Sequence, residues 1–115
     1  MRSVLLNQGC RAVLVAVAIC STSCDSARPV SYAEARAVVN RRCIECHSER
    51  NTSRAFRIAP QGVLLDTAQQ MKQYAQRIEV RVVVERTMPI ANMSRMTEEE
   101  RRVLANWVKT GAKVP

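Results

Sequence analysis

The residues that could do chemistry are concentrated in one run, Cys43-Ile44-Glu45-Cys46-His47. Two thiols separated by two residues can each form a thioether to one of the two vinyl groups of a single porphyrin. The histidine that follows is then held beneath the iron as an axial nitrogen ligand. The spacing predicts one covalent haem c on Cys43 and Cys46, with His47 as the proximal ligand. Two other chemistries use a C-x-x-C pair. A thioredoxin-like dithiol sits between a strand and the start of a helix, whereas this pair closes a helical run and leaves the histidine unexplained. A closed zinc site takes four ligands, usually as two spaced pairs. No second Cys/His pair follows His47, which is the single histidine of the chain.

A haem that carries electrons needs a sixth ligand. With one histidine, two imidazoles from the same chain cannot bind, so the intrachain donor is a thioether, and Met/His ligation raises the reduction potential. The stretch 87–96 holds three methionines. Met88 is the expected distal ligand, because it lies in a loop between helices and Pro89 stiffens the backbone beside it. Met93 and Met96 are the rivals. Were all three packing residues, the haem would be five-coordinate and open to small ligands, as in a haem sensor or a peroxidase.

Three helices are needed to position these groups. Ser31 and Glu34 form a capping box, and Ala35, Val38 and Val39 recur at helical spacing, so the first helix runs from Ser31 into Cys43. Arg41 and Arg42 fall in its last turn, where positive charge suits the helix dipole. They could also face a haem propionate or a partner. Residues 48–65 read as loop, from Asn51, Ser53, Pro60 and Gly62. Phe56, Ile58, Val63 and Leu64 within it are expected to touch the haem or the core. The Pro60 carbonyl is a candidate to orient the His47 ring as an outer-shell partner. Asp66 or Thr67 caps a second helix reaching about Arg86, with Met71, Tyr74, Ala75, Ile78 and Val82 on one apolar face. Met71 is expected in the core. Thr97 and Glu100 form a second capping box. Val103, Leu104, Trp107 and Val108 make the buried face of the last helix, and Gly111 ends it. Trp107 is expected to pack between the first and last helices, the other reading being a place near a haem propionate.

Among the 115 residues, aromatic content is 3 %, which limits what side chains alone can bury. A buried porphyrin would supply the missing apolar bulk. Residues 1–23 read as a secretory signal peptide, with Arg2 and Arg11 in a positive n-region and an apolar run from Ala12 to Cys20 that is too short to span a membrane. This predicts a periplasmic location, the compartment side where bacterial haem attachment occurs. Cys24 offers a second reading of the leader's end, a lipid-modified N-terminus that would hold the protein at a membrane face. Residues 24–30 form a linker and 31–115 the domain. Net charge is +8; Arg2 and Arg11 account for two of these charges, leaving +6 on the mature chain. A basic surface of this kind suits an acidic redox partner or an anionic membrane. Nucleic acid is excluded as a partner by the scattered arginines and by export.

The order helix, C-x-x-C-H, loop, helix, methionine loop, helix resembles a small class I c-type cytochrome over residues 31–111, an all-α fold of three main helices around one covalently bound haem. The words Cys43-x-x-Cys46-His47-Ser48, Ala59-Pro60-x-Gly62-Val63-x-Leu65-Asp66-Thr67, Thr87-Met88-Pro89-x-x-Asn92 and Met96-Thr97-x-Glu99-Glu100-Arg101, followed by Trp107 and Gly111-Ala112, are similar to the C-terminal cytochrome c domain of bacterial membrane-bound urate hydroxylases. That resemblance implies His47 and Met88 as axial ligands and single-electron transfer rather than catalysis. It also implies an alternative, a detached haem subunit of a membrane dehydrogenase or urate hydroxylase-like enzyme. The chain departs from that family in having no membrane domain of its own, and in Ala91, which stands where the family would place a glycine.

Overall fold

Ser31 accepts the Glu34 backbone N–H at 3.3 Å while the Glu34 carboxylate takes the Ser31 backbone N–H at 2.9 Å. This reciprocal cap opens helix α1, Tyr32–Arg42, as the sequence pattern predicts. The computed structural model describes residues 28–115. The leader with Arg2, Cys10, Arg11 and Cys20, the lipidation candidate Cys24 and the first part of the linker lie outside the described residues. The described part is helical and contains no strand. No helix among the described residues is long and apolar enough to cross a membrane.

The expected second helix is a broken one. Thr67, not Asp66, is its cap, paired with Gln70 in a capping box over helix α2, Ala68–Gln73. Asp66 instead accepts the Glu49 backbone N–H at 2.9 Å. Tyr74 leaves helical geometry at φ −96°, ψ 8°, and helix α3 resumes over Ala75–Ile78. The chain then widens into a π-helical segment, Glu79–Val84. Four of the residues at 80–84 are valines, whose branched Cβ atoms crowd a regular turn, and the π turn relieves that crowding. The widened turn buries Val82 and leaves Val80 and Val84 at the surface. It also ends with the Arg81 and Val82 carbonyls available to the loop that follows.

Thr97 and Glu100 cap helix α4, Glu98–Lys109. Its dominant buried residues are Leu104 and Trp107, both fully enclosed. Gly111, at φ +101°, permits the closing turn in which the Ala112 N–H reaches the Trp107 carbonyl at 2.9 Å. Helix α4 packs on α1, on α3 and on the π segment. The core joins Val38 and Val39 of α1, Met71, Ile78 and Val82 of the middle helices, and Leu104 and Trp107 of α4. Trp107 Nε1–H donates to the Lys113 carbonyl at 3.0 Å, so its one polar atom is satisfied and it is a packing residue. Met71 is core, as its place in the stripe predicts. Ile58, expected against haem or core, is 80 % exposed: the loop that carries it runs over the surface, and neighbouring Phe56 reaches inward instead.

Candidate cofactor site

Helix α1 stops where the cysteine pair begins. The Cys43 N–H still bonds to the Val39 carbonyl at 2.9 Å, and the His47 N–H returns to the Cys43 carbonyl at 2.8 Å. These turns wind the motif so that Cys43, Cys46 and His47 all line one cavity of about 370 Å³, within the size range of small-molecule sites. Residues of the loop behind the motif close onto it. Thr52 and Ser53 both donate backbone N–H groups to the Glu45 carbonyl at 3.1 Å, and Asn51 Nδ2 donates to the Cys46 carbonyl at 3.0 Å.

His47 is held twice. Its carbonyl accepts the Leu65 N–H at 2.9 Å, and its ring Nδ1 lies 2.9 Å from the Val63 carbonyl. A carbonyl can only accept, so the proton sits on Nδ1 and the Nε2 lone pair is left for a metal. The orienting carbonyl is therefore Val63's and not Pro60's. The reason lies in the turn Pro60–Gly62: the Pro60 carbonyl is used to close it, accepting the Val63 N–H at 3.2 Å, and the chain leaving the turn brings the Val63 carbonyl to the ring. Pro60 itself lines the cavity.

The methionines separate by position. Met88 lines the cavity and packs against the core. Met93 also lines it but is 67 % exposed. Met96 is buried in the core, 4 % exposed, and is not among the cavity's lining residues. Asn92 fixes it there, its side chain accepting the Met96 N–H at 2.9 Å and donating to the Met96 carbonyl at 3.1 Å. The backbone of Met88 is anchored on both sides. Its N–H donates to the Arg81 carbonyl at 3.0 Å, and its carbonyl accepts Arg101 Nη1 at 3.0 Å. The Met88–Pro89 peptide is cis.

Several features fit a porphyrin. Val39, Val63, Leu65, Ile78 and Val82 line the cavity and give it apolar walls, while Ile90 and Met93, which also line it, are exposed. Ser94 Oγ is buried, lines the same cavity and has no hydrogen-bond partner among the described residues. A carboxylate of a bound cofactor would satisfy it. Burial pushes the Cys43 thiol up to about 12, with the neighbouring Cys46 and Glu100 adding to the effect and Arg36 opposing it. That is opposite to the depressed value a redox dithiol requires. Among the described residues no group of three or more His, Cys, Asp or Glu side chains comes together as a metal site.

Three arginines, Arg36, Arg42 and Arg101, hold backbone carbonyls. Arg36 donates to the Leu65 carbonyl, beside the residues that fix His47. Arg42 donates to the Ser94 carbonyl at 2.5 Å and through Nε to both Glu100 oxygens at 3.0 and 2.9 Å. Arg101 bridges the Val82 and Met88 carbonyls. Arg101 lies three residues before Leu104 and six before Trp107, on the buried stripe of α4, and that spacing is the sequence signal that marks it. No protein-family model, curated protein or solved structure matches this chain.

Proposed function

We propose that this chain is an exported mono-haem c-type cytochrome of class I plan that transfers single electrons, with Cys43 and Cys46 bound to haem c, His47 as proximal ligand and Met88 as distal ligand. The observation that carries the reading is the cavity itself: Cys43, Cys46, Met88 and a His47 whose Nδ1 is taken by the Val63 carbonyl all line it. A bound haem supplies one-electron chemistry through its iron. The chain's part is to attach it, to orient His47 through Val63, to hold Met88, and to exclude water with apolar walls, which together set the potential. The protein would work with redox partner proteins on the periplasmic side, among them a membrane dehydrogenase of the urate hydroxylase kind, and Cys24 would supply an anchor if lipidated.

The test is maturation in a host equipped for cytochrome c assembly. Haem should stay with the polypeptide through denaturing electrophoresis, and this should be lost in a Cys43→Ala, Cys46→Ala double variant. Ferric protein should show the far-red charge-transfer band of a thioether-ligated haem. Met88→Leu should abolish that band and Met96→Leu should leave it. A chain that acquires no covalent haem would overturn the proposal. Reduction of the haem by membranes of the source organism, with and without urate, then decides between a urate hydroxylase partner and a general respiratory donor.

A further inference from the structure

Arg101 is the most deeply buried cation among the described residues, at 6 % exposure. Its Nη1 donates to the Met88 carbonyl at 3.0 Å and to the Val82 carbonyl. Its Nε lies 3.9 Å from Glu98. Glu98 in turn accepts from both terminal guanidinium nitrogens of Arg86, at 2.9 and 2.7 Å. Arg86 sits at φ +57° and turns the chain out of the π segment toward Met88. The first turns of α4 therefore grip the methionine loop at two places, and Arg101 is the grip that touches Met88 itself.

We propose that Arg101 is the positioning residue of the sixth ligand: it holds the Met88 backbone so that the thioether points into the cavity, and without it Met88 yields the site to exogenous ligands. This rests on the ligation proposed above. The physical argument is preorganisation. A thioether is a neutral, weak donor on a side chain with three rotatable bonds, so its hold on a metal depends on how little freedom remains to be lost on binding. With the N–H on Arg81 and the carbonyl on Arg101, only side-chain rotation remains. Removing Arg101 also strips the buried Val82 carbonyl of its donor, which loosens the π segment that carries the Arg81 carbonyl. A hydrogen bond to a charged group is worth roughly a tenfold to hundredfold shift in such an equilibrium.

The experiment uses the haem-loaded chain and four variants, Arg101→Gln, Arg101→Lys, Met88→Ala and Leu104→Ala, with far-UV circular dichroism to confirm folding. The readouts are the far-red band of the ferric protein and the affinity for added imidazole. Arg101→Gln should bind imidazole roughly tenfold to hundredfold more tightly than wild type and lose much of the band. Arg101→Lys, which offers one ammonium to two carbonyls, should fall between. Leu104→Ala destabilises the same helix without touching either carbonyl and should keep wild-type imidazole affinity. Should Arg101→Gln fail to fold or load haem, Arg101→Lys decides alone. Wild-type affinity in a folded Arg101 variant, or an equal rise in Leu104→Ala, would overturn the proposal. If Met88→Ala leaves band and affinity unchanged, it is the ligation itself that fails, and the two failures are thereby told apart.

Discussion

Arg41 and Arg42 are chemically identical neighbours whose environments differ, and replacing each by methionine should separate them sharply. Arg42 Nε lies within 3.0 Å of both Glu100 oxygens, and the two side chains are 23 % and 11 % exposed. Arg41 meets the same carboxylate at 3.3 Å but is 55 % exposed. An exposed pair is worth up to about 1 kcal/mol, and removing one partner of a buried pair costs roughly 3–5 kcal/mol. The Arg42 pair lies between these limits, and Arg41 and the Thr97 N–H remain to stabilise an abandoned Glu100. Arg42→Met should therefore cost about 2 kcal/mol, and Arg41→Met at most about 0.5 kcal/mol. In a domain of this size 2 kcal/mol lowers the melting midpoint by roughly 8–16 °C. Thermal and denaturant unfolding of the haem-loaded protein, followed in the far-UV, measures both. The Arg42 effect should persist at high salt, because a partly buried pair is screened less, and a cycle with Glu100→Gln should return a coupling of about 1–2 kcal/mol. Equal effects at positions 41 and 42, or a loss at Arg42 below about 0.5 kcal/mol, would refute the view that this pair ties the end of α1 that carries the cysteine pair to α4.

Other outcomes follow from single residues. Hydrogen bonding from Arg28, with the Ser31 backbone and hydroxyl, holds the Glu34 carboxyl down to about 2. A folded value below the ordinary 4.5 gives stability that is complete above that pH and is lost as pH falls through about 2. Glu34→Gln should flatten the acid limb of the stability curve over that window, read by unfolding at stepped pH. Ala91 sits at φ +47°, a left-handed position in which a Cβ is strained, so Ala91→Gly should raise stability by roughly 0.5–1 kcal/mol in denaturant unfolding. Trp107→Ala, which empties the fully enclosed centre of the core, should cost about 3–5 kcal/mol by the same measurement.

What the sequence made legible and what it hid divide along a physical line. Caps are local: Ser31 with Glu34 and Thr97 with Glu100 announce both flanking helices, and both begin where those boxes lie. The apolar stripe over Met71, Ala75, Ile78 and Val82 identifies the residues the core takes. It does not reveal that Tyr74 breaks the helix or that the valine run widens to π geometry, because the spacing of apolar residues marks which of them are buried and not how the backbone winds between them. The grouping of Cys43, Cys46 and His47 is legible because it is contiguous. Which carbonyl meets the His47 ring is not, since it depends on how the turn Pro60–Gly62 spends its own hydrogen bonds. Ala91 turns left-handed at φ +47°, a conformation that an alanine in the sequence does not announce.

The arginines carry the longest-range consequence. A basic composition reads first as an outward field, suited to steering a partner. Yet Arg36, Arg42 and Arg101 point their donors inward, at the carbonyls of Leu65, Ser94, Val82 and Met88. The need for this is built into a chain that surrounds a cavity with loops. Backbone that is neither helix nor sheet leaves carbonyls without partners, and a buried carbonyl must be satisfied. A guanidinium can do this at a distance, because its five N–H groups stand in a rigid fork at the end of a long stem. It also brings a charge, and Glu98 and Glu100 in the first turn of α4 supply the counter-charge for Arg101 and Arg42. The acidic run that caps α4 is thus also the anchor for the arginines that hold the methionine loop. The same residues that fix the start of a helix fix the far wall of the cavity, so a substitution at Glu98 or Glu100 should be felt at Met88 and Ser94 as well as in the helix itself.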